Sequence, residues 1–134
     1  MTARASGTFE VTLKPLQSYD AAEGSPLGRM SIDKQFRGDL QATSRGEMLS
    51  AMAAVKGSAG YVAMERVTGT LQGRRGSFVL QHSATMTRGA PQLSISVVPD
   101  SGTGELAGIA GQFKINIVDN KHFYEFEYII GDAG

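Results

Sequence analysis

Tyr61-Val-Ala-Met-Glu-Arg-Val-Thr-Gly-Thr-Leu-Gln-Gly-Arg-Arg-Gly-Ser-Phe-Val-Leu-Gln-His-Ser-Ala-Thr-Met86 reads as one β-hairpin. A strand-like segment leads into a glycine-rich turn, Gln72-Gly73-Arg74-Arg75-Gly76, and a second segment runs from Ser77 to Thr87. Side chains of a strand alternate between two faces, so a turn centred on Gly73-Arg74 sets Val67 opposite Leu80, Ala63 opposite Ala84 and Glu65 opposite His82. A carboxylate then lies beside an imidazole on an otherwise apolar face. A turn at Gly57-Ser58 continues that face on one side, with Met52 opposite Ala63, Met48 opposite Val67 and Ser50 opposite Glu65. A turn within Arg88 to Pro91 continues it on the other, with Leu93, Ile95 and Val97 opposite Met86, Ala84 and His82.

The C-terminal part repeats the pattern independently. Asp119-Asn120 is a hairpin signal that pairs Ile117 with His122, Ile115 with Tyr124 and Phe113 with Phe126, leaving Lys114, Glu125 and Glu127 on the opposite face. Toward the N-terminus, Thr8 to Lys14 alternates with Phe9, Val11 and Leu13 on one side and is expected to stop at Pro15. Tyr19 to Gly28, with Asp20, Glu23, Gly24 and Pro26, has loop composition: a plain connection, or a cover over a barrel end. Met30 to Arg37 alternates through Met30, Ile32 and Phe36. A tight turn at Gly38-Asp39 would put Asp33 and Gln35 on the face of Ala42 and Met48, so a bulge or a longer turn is expected there. Gly46 to Ala54 has weak helical spacing but no N-cap, and strand is preferred.

Eight strands in mostly hairpin order indicate an all-β, single-domain protein over residues 1–134, an antiparallel eight-stranded barrel, with a sandwich as the alternative. The 17 glycines recur between short apolar runs, as turns between strands do. At this length one core buries about two thirds of the unfolded surface without disulfides. Cysteine is absent, which excludes thiol nucleophiles and thiolate metal sites. The 13 basic and 13 acidic residues are scattered, so neither nucleic acid nor an anionic membrane is an expected partner. No segment reads as a signal peptide or a membrane span, and a cytoplasmic location is the expectation.

An eight-stranded barrel is either filled by side chains or holds one small ligand. Its inward face mixes large residues (Phe78, Leu80, Met48, Phe113, Phe126) with small ones (Ser50, Ala63, Gly69, Ala84), which leaves local space. Met48, Ser50, Tyr61, Phe78, Leu80 and Tyr124 are the candidate ligand-binding residues. Glu65 and His82 are the candidate catalytic pair, because a carboxylate bonded to an imidazole in a desolvated cavity can transfer a proton. The same pair also reads as a structural ion pair that specifies register. Glu65, His82 and His122 lack the spacing that would fix metal ligands together, so no metal is expected. Gly102-Thr-Gly104-Glu-Leu-Ala107 has the letters of a dinucleotide fingerprint without the strand and helix it needs, so no cofactor is expected and a tight loop is the reading.

Gly76-Ser-Phe-Val-Leu-Gln-His82, with Glu65-Arg66 before it and Gly102-Thr-Gly-Glu-Leu-Ala-Gly108 after it, resembles the bacterial family called domain of unknown function 3224. Tyr19-Asp20 and Glu23-Gly24 are similar to its N-terminal pattern. The resemblance implies a barrel like those of allene oxide cyclase and dirigent proteins, and a homo-oligomer. Val62, Met64 and Val79 would then form an outer apolar patch. Three functions stay open: a module that binds a small apolar molecule in the barrel, an isomerase or cyclase using the same cavity, and a packed interaction domain without a ligand.

Overall fold

The computed structural model describes residues 2–20 and 27–131. They form eight antiparallel strands: β1 (Ala3–Leu16), β2 (Leu27–Gly38), β3 (Leu40–Met52), β4 (Ala59–Leu71), β5 (Arg74–Thr87), β6 (Ala90–Val97), β7 (Ile109–Val118) and β8 (Lys121–Ile130). Each pairs with the next and β8 pairs with β1, closing a barrel. A short 3-10 turn, Gly104–Leu106, interrupts the β6–β7 connection, and no α-helix occurs among the described residues. None of their helices is therefore long and apolar enough to cross a membrane. Six residues of the Tyr19 to Gly28 stretch lie outside the described residues.

The faces expected from alternation hold, while several registers are corrected. In the β4–β5 hairpin, Glu65 faces Leu80, Val67 faces Phe78 and Ala63 faces His82. The reason lies in the turn. Its two central residues are Gln72 and Gly73, both at positive φ (46° and 86°), so glycine takes the second position and Gln72 the first. The β5–β6 turn repeats this with Arg88 and Gly89, which brings Ile95 opposite His82 and Val97 opposite Leu80. Both registers move by two residues, and a shift of two keeps every side chain on its face.

Between β3 and β4 a six-residue loop, 53–58, replaces the expected tight turn. Met48 consequently faces Ala63, and Ser50 faces Tyr61 instead of Glu65. The loop also buttresses the neighbouring hairpin: Gly89 N–H donates to the Gly57 carbonyl (2.9 Å) and Arg88 N–H to Ser58 Oγ (3.0 Å). The β2–β3 ladder ends at the pair Phe36–Ala42, so residues 37–41 make the longer connection expected there, and Met30 lies opposite Met48. The C-terminal pairs Ile117–His122, Ile115–Tyr124 and Phe113–Phe126 are present. β1 continues through Pro15 instead of stopping there. Beyond Phe9 it pairs with β2 alone, so proline's missing N–H breaks no second ladder.

Among the described residues, one end of the barrel is closed and the other open. At the closed end Leu40, Leu71, Phe78, Leu80, Leu106, Tyr124 and Phe126 are fully buried. The aromatic rings run in contact from Phe36 through Phe113 and Phe126 to Phe78 and Tyr128. The Gly102–Ala107 segment seals this end by bonding to β5: Thr103 N–H donates to the Ser77 carbonyl and Ser77 N–H to Thr103 Oγ1. Gly76 permits that approach, since a Cβ there would come within 2.1 Å of the Thr103 carbonyl oxygen. The fingerprint-like letters thus belong to a plug packed against the Gly76–His82 strand.

Candidate functional site

Successive cross-strand rows carry the interior from the closed end to the open one. Val11, Lys34, Ser44, Val67 and Phe78 form one row. Pro15, Met30, Met48, Ala63, His82 and Ile95 form another nearer the open end, and Gly28, Ser50, Tyr61, Ala84 and Leu93 the next. The parity that buries Phe78 and Leu80 therefore turns Leu13, Met52, Met86, Leu93 and Ile117 toward the barrel axis. They are nonetheless exposed, Met52 at 60% and Ile117 at 64%, whereas Leu71 and Phe126 at the closed end are at 0%. The open half is an apolar cup. Its wall is incomplete on one side, because β6 and β7 share a single ladder pair, Ser96 with Gln112.

The floor of the cup is polar. Glu65 projects inward from β4 and faces Gly46, where an added Cβ would lie 2.8 Å from the Glu65 Cβ. Without a side chain at Gly46, the carboxylate reaches across β3 to its partners. Ser44 Oγ donates to Oε2 at 2.6 Å, Lys34 Nζ donates to Oε1 at 2.9 Å, and His82 Nε2 lies 2.6 Å from the same oxygen. Glu65, Ser44 and His82 are buried, and the Lys34 side chain is 7% exposed. The Lys34 ammonium also sits 5.0 Å from the centre of the Phe9 ring.

Burial alone would push the Glu65 carboxyl up. The His82 hydrogen bond, the Lys34 charge, the charge His82 carries when protonated and the Ser44 hydroxyl more than offset it and hold the group down at about 2. Glu65 is an anion, so Nε2 of His82 is the donor in their contact. A neutral imidazole that donates from Nε2 carries its lone pair on Nδ1. Nδ1 has no protein partner, yet no buried polar side-chain atom among the described residues lacks one, so Nδ1 is the accessible edge of the ring. The half-buried Tyr61, on the rim side of Glu65, has its hydroxyl pKa raised by burial and by the Glu65 charge, which keeps it protonated.

Glu65 and His82 are thus in contact, as diagonal neighbours instead of a facing pair. Of the candidate binding residues, Met48, Ser50 and Tyr61 belong to the cup rows and are half-buried. Phe78, Leu80 and Tyr124 lie packed in the closed half. Tyr124 works there as a clasp on the β2–β3 turn, its hydroxyl donating to the Arg37 carbonyl and accepting from Leu40 N–H. His122 stands apart from the cluster, its ring 5.1 Å from Phe9. Among the described residues no three His, Asp or Glu side chains converge to hold a metal. Alternation missed Lys34 and Ser44. The signal was available: Lys34 falls in phase with Met30, Ile32 and Phe36, and Ser44 with Ala42 and Met48.

A recess of about 940 Å³ at the open end is bordered by Gln17–Asp20, by Gly28, Ser50, Tyr61 and Ala84 of the cup row, and by the outward-parity residues Leu49, Val62, Ser83 and Thr85. It therefore lies over the rim of the cup and the adjoining outer wall, with both faces of the strand ends in its lining. On the outer face Leu49, Val62 and Met64 are exposed, while Val79 is partly covered.

No curated protein matches the chain. It is similar to a protein with unknown function from the DUF3224 family of Shewanella oneidensis MR-1, whose crystal structure superposes with a TM-score of 0.94 at 51% identity, over 98% of this chain and 100% of that one. A family model described as protein of unknown function (DUF3224) matches residues 5–128. That match spans both the β5 strand with His82 and the plug that packs on it, and the chain belongs to the DUF3224 family.

Proposed function

We propose that the open half of the barrel binds a small, largely apolar molecule. The observation that carries this reading is the contrast in exposure along one inward face. Apolar side chains that would fill a core at the closed end are left in water at the open end, and each covered by a ligand would contribute about 1.5–3 kcal/mol. Met30, Met48, Met52 and Met86 share that inward parity, and unbranched thioether chains adapt to differently shaped guests. The gap between β6 and β7 offers a second way in.

The test is titration with the methyl ether of β-naphthol, followed by its fluorescence. Saturable binding that weakens at least tenfold in Met48→Glu and Ala84→Trp is expected. Absence of saturable binding, or binding indifferent to both substitutions, would overturn the reading.

The Glu65–His82 pair favours an isomerase or cyclase as the second reading. Nδ1 would take a proton from one substrate atom, Glu65 would stabilise the imidazolium, and the proton would return to another atom of the same molecule. Self-association is proposed through the outer patch of Leu49, Val62 and Met64. Light scattering of a monomer at high concentration would rule it out.

A further inference from the structure

We infer that the site selects, among small apolar molecules, those that carry one weakly acidic O–H donor of phenol or enol type, and that His82 Nδ1 is the atom that accepts it. This rests on the binding reading above and narrows it to a ligand class.

Both oxygens of the Glu65 carboxylate are committed. Glu65 Oε1 accepts from both Lys34 and His82, and Oε2 accepts from Ser44. The anionic carboxylate fixes the imidazole in the form that donates from Nε2, as carboxylates do for catalytic histidines. With the ring neutral, its remaining lone pair is on Nδ1, and no protein group bonds to it. His82 shares its row with Met30, Met48, Ala63 and Ile95, so a guest lying on those apolar residues brings its polar end to the ring.

The charges point the same way. Lys34 and Glu65 neutralise each other across 2.9 Å, so with the ring neutral the floor presents no net positive charge to draw a carboxylate or phosphate. An acceptor-only head, such as an ether or ketone, meets a lone pair facing a lone pair. An O–H donor meets its complement, and in a site with little water an unmatched polar group costs more than the bond contributes.

The experiment compares β-naphthol with its methyl ether, which have nearly the same apolar body and differ in the donor. The wild-type protein should bind β-naphthol about tenfold more tightly, the factor one net hydrogen bond supplies. That preference should vanish in His82→Leu and persist in Tyr61→Phe. Nitrogen NMR of histidine-labelled wild-type protein gives a readout independent of any variant's folding: the His82 Nδ1 signal should lie in the unprotonated range and move toward the hydrogen-bonded range with β-naphthol but not with the ether. Equal affinities for the two, a preference that follows Tyr61 instead of His82, or a protonated Nδ1 in the free protein would each overturn the inference while leaving apolar binding intact. Failure of both compounds to bind would overturn both.

Discussion

The two halves of the barrel are built from the same strands with the same alternation, yet one is a core and the other a vessel. In the closed half the inward residues are aromatic or branched and meet across the axis, and the Gly102–Ala107 plug covers them. In the open half methionine, serine, alanine and glycine enter the inward positions beside Leu13, Leu93 and Ile117, and β7 and β8 end at Val118 and Lys121 while β1 to β5 run on. A polar layer separates the two. Burying a carboxylate is tolerable only with its partners in place, and Lys34, Ser44 and His82 come from three other strands to meet it. The contrast teaches that in this barrel stability and recognition are divided along the axis.

Substitutions that respect this division should have very unequal effects. Phe78→Ala in the closed half removes a ring stacked on Phe126 and should cost about 4 kcal/mol in denaturant unfolding. A loss below about 1 kcal/mol would mean that the closed half is not the stabilising core.

Glu65→Gln comes next, since it leaves the Lys34 ammonium buried without its counter-charge, and should cost about 3 kcal/mol. The same residue sets an acid limb. Its carboxyl is held near 2 against an ordinary 4.5, so the stabilisation is fully present above pH 4.5 and is lost as the pH falls toward 2. The integrated loss is about 3 kcal/mol, and urea midpoints measured across that window should show it in the wild type and not in Glu65→Gln. Parallel curves for the two proteins would break the assignment of the acid limb to Glu65.

Ile117→Ser at the rim should have the smallest effect, within about 0.5 kcal/mol, because its side chain is already in water. A cost above 2 kcal/mol would place the rim in the core and erase the comparison. Binding of the naphthyl ether should respond in the opposite order to stability, with Ile117→Ser weakening it and Phe78→Ala, where folded, leaving it in place.

The chain's sequence alone determined the strand count, the inward and outward faces, and the Asp119-Asn120 hairpin register, because period-two alternation and a turn at positive φ are local properties. It also determined that Glu65 and His82 share a face, which survives any register error of an even number of residues. What it could not determine was register where turn length was ambiguous: a glycine marks a turn without saying whether it holds the first or the second position, and 53–58 closes by loop contacts to Gly89 that lie far away in sequence. Only the tertiary structure decided which inward positions meet. Lys34 reads as an interruption of an apolar stripe until barrel closure sets β2 near β4, and Ser44 reads as a small filler until Gly46 lets Glu65 lean toward it. Nor does alternation distinguish Phe78 in the packed end from Met52 at the rim. Their difference in burial comes from where each strand ends and from what the β6–β7 connection covers, and those are properties of the closed barrel.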